Sequence, residues 1–112
     1  MRPSRAAKAL GQSVLVFAAL GDETRLALVE RLCEHGPASV TTLCEGADVT
    51  RQAISRHLQV LEDAGLVLNK RVGRASMWEL RANRINDARR ALDMISREWD
   101  ARIERLRRFV EE

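Results

Sequence analysis

The sequence has few aromatic residues, few cysteines and no long apolar run, and each shortage excludes a class of protein. Aromatic residues make up 4% of the 112 residues, so a core must be built mostly from Leu, Val, Ile and Ala. Two cysteines do not make the disulfide framework of a small secreted protein, which favours a reduced, cytoplasmic compartment. The longest apolar run, Val14 to Leu20, is far too short to span a bilayer.

The N-terminal segment has a basic start followed by apolar residues, which loosely imitates a secretory signal peptide. Leu10, Val14 and Phe17, however, recur at i, i+4 and i+7. This is the spacing of one helix face rather than of a uniformly apolar region. We therefore expect an amphipathic helix here and no membrane segment.

The sequence also lacks the motifs of an enzyme or a metal site. It has no glycine-rich phosphate loop, no HExxH pair and no Ser/His/Asp or Cys/His arrangement in a plausible pocket context. Soft-metal sites usually need three or four thiolate or imidazole ligands, and besides the two cysteines only His35 and His57 are present. We expect no catalysis, no cofactor and no metal. Cys33 and Cys44 are predicted to be buried and inert, with a redox role as the alternative.

What the sequence does contain is sufficient for one ordinary domain. The chain is 46% hydrophobic and 31% charged, so it can form a core and is not globally disordered. Its formal net charge is +3 and its pI is near 9.5, which is compatible with binding to nucleic acid but does not prove it. Since no internal repeat or long linker divides it, residues 1–112 are predicted to form a single domain.

Helix-start and helix-stop residues divide the chain into five helices and a hairpin. Residues suited to N-cap positions are Ser4, Asp22, Ser39 and Thr50, and glycines at 21, 36 and 65 end three of the helices. The predicted helices span about residues 5–20, 23–35, 40–45, 51–64 and 84–110. The predicted strands span 66–72 and 75–80, with Gly73 at their connection.

The fourth helix has two faces of different chemistry. Ile54, Leu58 and Leu61 share the apolar side. Within an arc of about 140° on the other side lie Arg51, Gln52, Ser55, Arg56 and Gln59. The polar face has no carboxylate before Glu62, whereas a merely solvated face would usually mix the signs of charge. It is typical of a surface for a negatively charged partner that carries hydrogen-bonding edges.

Residues 40–64 match a helix-turn-helix, whose second helix enters the major groove of DNA. Arginine can pair with guanine and glutamine with adenine, while the helix N-terminus beside Thr50 can hold a phosphate. The hairpin at 66–80 adds a basic tip that can reach flanking phosphates or the minor groove. The predicted DNA contacts are Thr50, Arg51, Gln52, Ser55, Arg56, His57, Lys70, Arg71 and Arg74. For His57, a phosphate contact and a packing role both stay open.

The last segment has apolar residues spaced by three and four, like a coiled-coil seam with one irregularity at Arg102. A helix of about 25 residues is about 38 Å long, and so small a domain is not expected to cover both of its ends. A second chain related by a two-fold axis would cover it together with the first helix. Such a dimer also sets two DNA-reading helices about 34 Å apart. The predicted interface residues are Leu10, Val14, Phe17, Leu92, Ile95, Trp99, Ile103 and Leu106.

Three stretches resemble the winged helix-turn-helix regulators of the ArsR family. They are ALGDETRLALVERL (19–32), VTRQAISRHLQVLEDAGLV (49–67) and VGRASMWEL (72–80), of which the central one is the most specific. The resemblance implies a mostly α fold with a small β-hairpin, and a homodimer joined through N- and C-terminal helices at 1–20 and 84–112. It also implies repression of transcription at a palindromic operator.

The chain departs from the metal-sensing members of that family where they hold their ligands. Their cysteine-containing motif corresponds here to Val40-Thr41-Thr42-Leu43, and residues 84–112 contain no His. The C-terminal helix, with Trp99 and Leu106, resembles the non-metal-sensing branch instead. Asp48 occupies a turn position that is commonly glycine in the family, and we expect it to strain or reshape the turn.

The sequence therefore predicts a cytoplasmic repressor that binds double-stranded DNA sequence-specifically as a homodimer. Two alternatives remain open: a non-specific architectural DNA binder, and a protein-interaction module that has kept the winged-helix fold. A groove between the end helices could also take a small apolar effector, although nothing in the sequence identifies one.

Overall fold

The computed structural model describes residues 4–111, which form six helices and one two-stranded antiparallel sheet. The helices are α1 (Arg5–Gln12), α2 (Val14–Leu20), α3 (Glu23–His35), α4 (Val40–Cys44), α5 (Arg51–Asp63) and α6 (Ala82–Glu111). The strands are β1 (Val67–Val72) and β2 (Ala75–Leu80). The predicted class, mostly helical with a small hairpin, is confirmed.

The prediction of one N-terminal helix over residues 5–20 is wrong, because the chain bends at Ser13. The backbone of Ser13 leaves the helical region, with φ −105° and ψ 9°, and its N–H donates to the carbonyl of Leu10 at 2.9 Å. Gly11 and Ser13 are both weak helix formers, which makes this stretch easy to bend. The bend turns Ala6 of α1 and Val16 of α2 inward, and both are buried.

The core lies between α3, α4, α5 and the base of the hairpin. Its fully buried large side chains are Leu43, Ile54, Leu58, Leu61, Leu66 and Val67. Trp78 in β2 closes the core at 7% exposure. Its backbone exchanges two hydrogen bonds with Ala38, at 2.8 and 2.9 Å, which fasten the hairpin beside the start of α4. The position of the hairpin relative to α4 and α5 is therefore fixed by both packing and backbone pairing.

The hairpin is in register from Val67↔Leu80 to Val72↔Ala75. Its two-residue loop begins with Gly73 at φ +62°, and no non-glycine residue among 4–111 has a positive φ. A glycine with positive φ in the first loop position is the type II′ arrangement, which suits the twist of the two strands. Arg74 is consequently held at the tip.

The second half of α6 extends away from the rest of the chain. Ala88 and Ala91 are buried, whereas every residue from 96 to 111 is exposed. The molecule measures 67 × 28 × 20 Å and its radius of gyration is 18.7 Å. A compact domain of this length would have a radius of gyration of about 13 Å. Among residues 4–111, nothing covers this projecting half.

The prediction that both cysteines are buried is wrong for Cys33, which is exposed, while Cys44 is partly buried against the core. Leu28 and Leu32 are the residues of α3 that face inward. Cys33 follows Leu32 and is therefore rotated about 100° away from that face. No helix within residues 4–111 combines the length and the apolar character needed to cross a bilayer.

Candidate nucleic-acid interface

The N-terminal half of α5 presents an open polar face backed by the core. Thr50 caps the helix, and its hydroxyl accepts the backbone N–H of Ala53 at 3.1 Å. The four polar residues predicted to read DNA edges are all exposed: Arg51, Gln52, Ser55 and Arg56. Because Ile54 and Leu58 on the opposite side are buried, the orientation of this face is fixed by packing.

The turn between α4 and α5 sets the direction of α5. Its left-handed residue is Gly46, at φ +74°, and the N–H of Ala47 donates to the carbonyl of Cys44 at 3.1 Å. Asp48 does not have a positive φ. The expected strain at Asp48 is therefore wrong, because Gly46 supplies the unusual backbone conformation that the turn needs.

The acidic residues at the end of α5 are occupied by other contacts. The side-chain amide of Gln59 donates to Asp63 Oδ1 at 3.0 Å and to Glu62 Oε1 at 3.3 Å. Glu62 Oε2 also accepts the backbone N–H of Asn69 at 3.2 Å, which joins the helix to β1. Gln59, which the helical arc placed on the polar face, is thus turned toward these carboxylates. Glu62 and Asp63 follow Arg56 by six and seven residues and Arg51 by eleven and twelve, so they lie well beyond the start of α5.

The basic residues of the hairpin are not equivalent. Lys70 Nζ lies 2.8 Å from Glu79 Oε1 on the neighbouring strand. Lys70 is opposite Met77 and Arg71 is opposite Ser76, so the two basic side chains lie on opposite faces of the hairpin. Arg71 and Arg74 are exposed, and neither forms an ion pair with a carboxylate among residues 4–111. No carboxylate among the described residues offsets the positive charge of these two arginines.

His57 lies at the inner edge of the α5 face, within a cluster that the sequence did not reveal. Its Nδ1 is 3.3 Å from Nη1 of Arg25 and 3.9 Å from Oδ2 of Asp22. Asp22 caps α3 by accepting the backbone N–H of Arg25 at 3.0 Å. This hydrogen bond is the largest cause that lowers the pKa of the Asp22 carboxyl below its ordinary value of 3.8. Burial opposes it, and the neighbouring charge of Arg25 adds to the lowering.

Arg25 is the functional candidate that the sequence analysis missed. It is half-buried, and its Nε donates to the carbonyl of Ala19 at 2.7 Å. The only signal in the sequence is an arginine three residues after the N-cap Asp22. That spacing does not show that the side chain reaches back to α2 and across to α5.

The predicted interface residues fall into two groups by exposure. Leu10, Phe17 and Ile95 are partly buried within one chain. The remaining five are exposed: Val14, Leu92, Trp99, Ile103 and Leu106. Phe109 and Val110, which the sequence analysis did not assign to the interface, extend the same apolar surface to the end of α6. A continuous apolar surface therefore runs along the projecting helix.

A groove of about 570 Å³ lies between α6 and the junction of α1 with α2. Its lining includes apolar Val16 and Met94, and also the charged side chains of Arg84, Asp87 and Arg90. This groove lies where the sequence analysis predicted one for a small apolar effector, but its lining is charged as well as apolar. Its occupant stays a prediction.

Comparison with known proteins places these features in context. A family model described as a helix-turn-helix domain matches residues 20–68. An arsenical resistance operon repressor from Bacillus subtilis is 36% identical over 70 residues, which are 62% of this chain and 67% of that protein. The matched segments span about half to three quarters of the length of three further curated relatives.

Solved structures extend the similarity well beyond the helix-turn-helix. An ArsR-like transcriptional regulator from Rhodococcus sp. RHA1 has a TM-score of 0.78 at 34% identity, covering 89% of this chain and 93% of that one. The homodimeric winged helix-turn-helix DNA-binding domain of a possible ArsR-family regulator from Mycobacterium bovis has a TM-score of 0.61 at 25% identity. It covers 89% of both chains.

Proposed function

The chain belongs to the ArsR family of winged helix-turn-helix transcriptional regulators, and on this premise we propose that it is a sequence-specific repressor that binds a palindromic operator as a homodimer. Helix α5 is the proposed recognition helix, and the β1–β2 hairpin is the proposed wing. Occupation of a promoter would exclude the polymerase. The name of the Bacillus subtilis relative, an operon repressor, supports this direction of regulation.

The exposed, carboxylate-free face at the start of α5 carries this proposal. Arg51 and Arg56 can each donate two hydrogen bonds to a guanine, and Gln52 can pair with an adenine in the same way. The unpaired N–H groups at the start of the helix and the helix dipole favour a phosphate beside Thr50. A face with this chemistry fits a groove in which acceptor-rich base edges lie between two rows of phosphates.

The wing adds contacts that position the protein without specifying sequence. Arg74 at its tip and Arg71 on one face are both exposed. Such side chains reach flanking phosphates, whose contacts fix register and orientation on the duplex. Lys70 is proposed as the weaker contact, because Glu79 already offsets much of its charge.

A second copy of the chain is the proposed cover for the projecting half of α6. Trp99 and Leu106 are exposed there, and Val14 is exposed on α2. The described homodimeric state of the Mycobacterium bovis domain supports this pairing. A two-fold axis would place two copies of α5 about 34 Å apart, which is one turn of DNA. The proposed function places the protein with DNA in the cytoplasm.

The test is equilibrium binding to DNA from upstream of the protein's own gene, followed by fluorescence anisotropy. Random DNA of equal length is the control, and both are measured at several salt concentrations. We expect a preference of at least about a thousandfold for the operator, with affinity falling steeply as salt rises. A triple variant carrying Arg51→Ala, Gln52→Ala and Arg56→Ala should lose that preference.

Two other outcomes would contradict the proposal. Equal, salt-sensitive affinity for upstream DNA, a genomic library and random DNA would indicate a non-specific architectural binder. No binding to any of these by a folded dimer would indicate a protein-interaction module. A small-molecule effector, if one acts through the groove beside α6, should change operator affinity without changing the affinity for random DNA in the same proportion.

A further inference from the structure

We propose that Arg25 is a positioning residue that fixes the recognition helix α5 and keeps Nδ1 of His57 as a hydrogen-bond acceptor, so that the Nε2–H of His57 faces outward to a DNA phosphate. The inference rests on the proposed DNA-binding function. It adds a residue outside the helix-turn-helix and wing surfaces, together with a specific tautomer for His57.

The guanidinium of Arg25 joins three helices. Its Nε donates to the carbonyl of Ala19 at 2.7 Å, and its Nη2 makes a longer contact with the carbonyl of Ala18 at 3.5 Å. These carbonyls belong to the last turn of α2, where the helix dipole favours a cation, although the Ala18 carbonyl also accepts the backbone N–H of Gly21 at 3.3 Å. The third contact, from Nη1 to Nδ1 of His57, reaches α5. One side chain of α3 thus ties the end of α2 to the recognition helix.

The contact with Arg25 determines which nitrogen of His57 carries the proton. An arginine guanidinium only donates hydrogen bonds and stays charged, so Nδ1 of His57 must accept. Asp22 Oδ2, at 3.9 Å, is too distant to compete for a hydrogen bond from Nδ1. With Nδ1 accepting, the ring carries its proton on Nε2.

The outward nitrogen of His57 is open to solvent. The side chain is 24% exposed, and no residue in 4–111 makes a hydrogen bond to Nε2. No buried side-chain nitrogen or oxygen in the described part of the chain is left without a partner, so Nε2 is not a buried donor. Since His57 follows exposed Arg56 on α5, this N–H lies at the edge of the recognition face. That position suits a backbone phosphate better than a base.

The first measurement is made on the free protein and does not depend on DNA. The chain has two histidines, so a His35→Gln variant, which replaces an exposed residue, leaves His57 as the only imidazole. Its ring nitrogen shifts, recorded by NMR at neutral pH, should show a proton on Nε2 and a free Nδ1. An Nδ1-protonated or cationic ring would overturn the inference. In the same background, Arg25→Met should give a mixture of forms, and an unchanged spectrum would also overturn it.

The second measurement separates positioning from general stability. In Arg25→Met, the ratio of operator affinity to random-DNA affinity should fall about tenfold or more, because hydrogen bonds from α5 to base edges need a more exact orientation than contacts with phosphates. Arg25→Lys should restore part of the ratio, since it returns one donor and the charge. Arg89→Met removes an exposed charge from the first half of α6, outside the predicted DNA and dimer contacts, and should leave the ratio unchanged. If Arg25→Met folds and keeps the full ratio, Arg25 does not position α5.

The contact between His57 and a phosphate is tested by the affinity for DNA and its salt dependence. His57→Leu should weaken binding to operator and random DNA by the same factor, and should leave the salt dependence unchanged, because a neutral donor releases no counterion. A reduced salt dependence would mean that His57 binds as a cation, which contradicts the assigned form. If the wild-type protein binds no DNA, the proposed function fails before any variant is measured, while the NMR result still decides the contact between Arg25 and His57.

Discussion

Replacing Trp99 with Ala tests whether a second chain covers the projecting half of α6. Trp99 is 62% exposed within one chain and lies on the apolar surface between Leu92 and Leu106. Because no residue from 96 to 111 is buried, the side chain contributes little to the intrachain core. We therefore expect the variant to keep its fold and its core packing, and to lose affinity for its partner.

The size of the effect follows from the exposed area. A tryptophan buries up to about 250 Å². Covering the exposed 62% would therefore remove about 155 Å² from water. At about 25 cal/mol per Å², this is about 4 kcal/mol for each subunit, as an upper bound. Truncation of a well-packed interface residue costs about 2 kcal/mol or more, and a dimer loses two copies. The dissociation constant of the dimer should rise by a factor of about a thousand.

Sedimentation velocity over a range of protein concentrations measures this change directly. Leu26→Ala is the matched control, because Leu26 is 45% exposed but lies on α3, outside the predicted interface. Tryptophan fluorescence gives a second measure, since Trp78 is buried and only Trp99 should change its surroundings on dilution. A Trp99→Ala protein that dimerises as tightly as the wild type would refute the reasoning, as would a wild-type protein that stays monomeric at tens of micromolar.

Two further predictions concern the cap of α3 and the wing. The Asp22 carboxyl has a lowered pKa in the folded state, so its contribution to stability is present above its ordinary value of 3.8 and is lost as the pH falls through the folded-state value. The melting-temperature difference between wild type and Asp22→Ala should therefore shrink below about pH 4, and a constant difference would contradict this. In the wing, Arg74→Ala should reduce the slope of log affinity against log salt by about 0.9 for each of the two copies, which is about 1.8 for the dimer, and Lys70→Ala by less because Glu79 already pairs with Lys70. Equal slopes for the two variants in anisotropy titrations would show that the ion pair does not matter.

The features that depend on local chemistry were predictable from the sequence. Each of the four predicted N-caps accepts a backbone N–H three residues later, at 3.0 to 3.2 Å: Ser4, Asp22, Ser39 and Thr50. A short polar side chain at a helix start can satisfy an orphan donor whatever surrounds it. The hairpin register was similarly predictable, because a two-residue loop containing glycine leaves few alternatives.

The features that depend on contacts distant in sequence were not predictable. Arg25 meets His57 across 32 positions, and Lys70 meets Glu79 only once the register of the hairpin is set. The bend at Ser13 follows from packing as well, because α1 must lie along α6 while α2 packs on α3. The apolar stripe of Leu10, Val14 and Phe17 predicted a helix but carried no information about that bend.

Helix α6 connects dimerisation with DNA binding in the proposed function. Its first half is anchored to the body through Ala88 and Ala91, whose small side chains let neighbouring helices approach closely. Its second half carries the apolar surface proposed to pair with a second chain. Helix α6 is continuous from Ala82 to Glu111. The way in which two copies pair along its second half therefore sets the distance and orientation between the two α5 helices. A monomer has one recognition helix and reads one half-site, so weakening the pairing at Trp99 should reduce operator affinity more than affinity for random DNA.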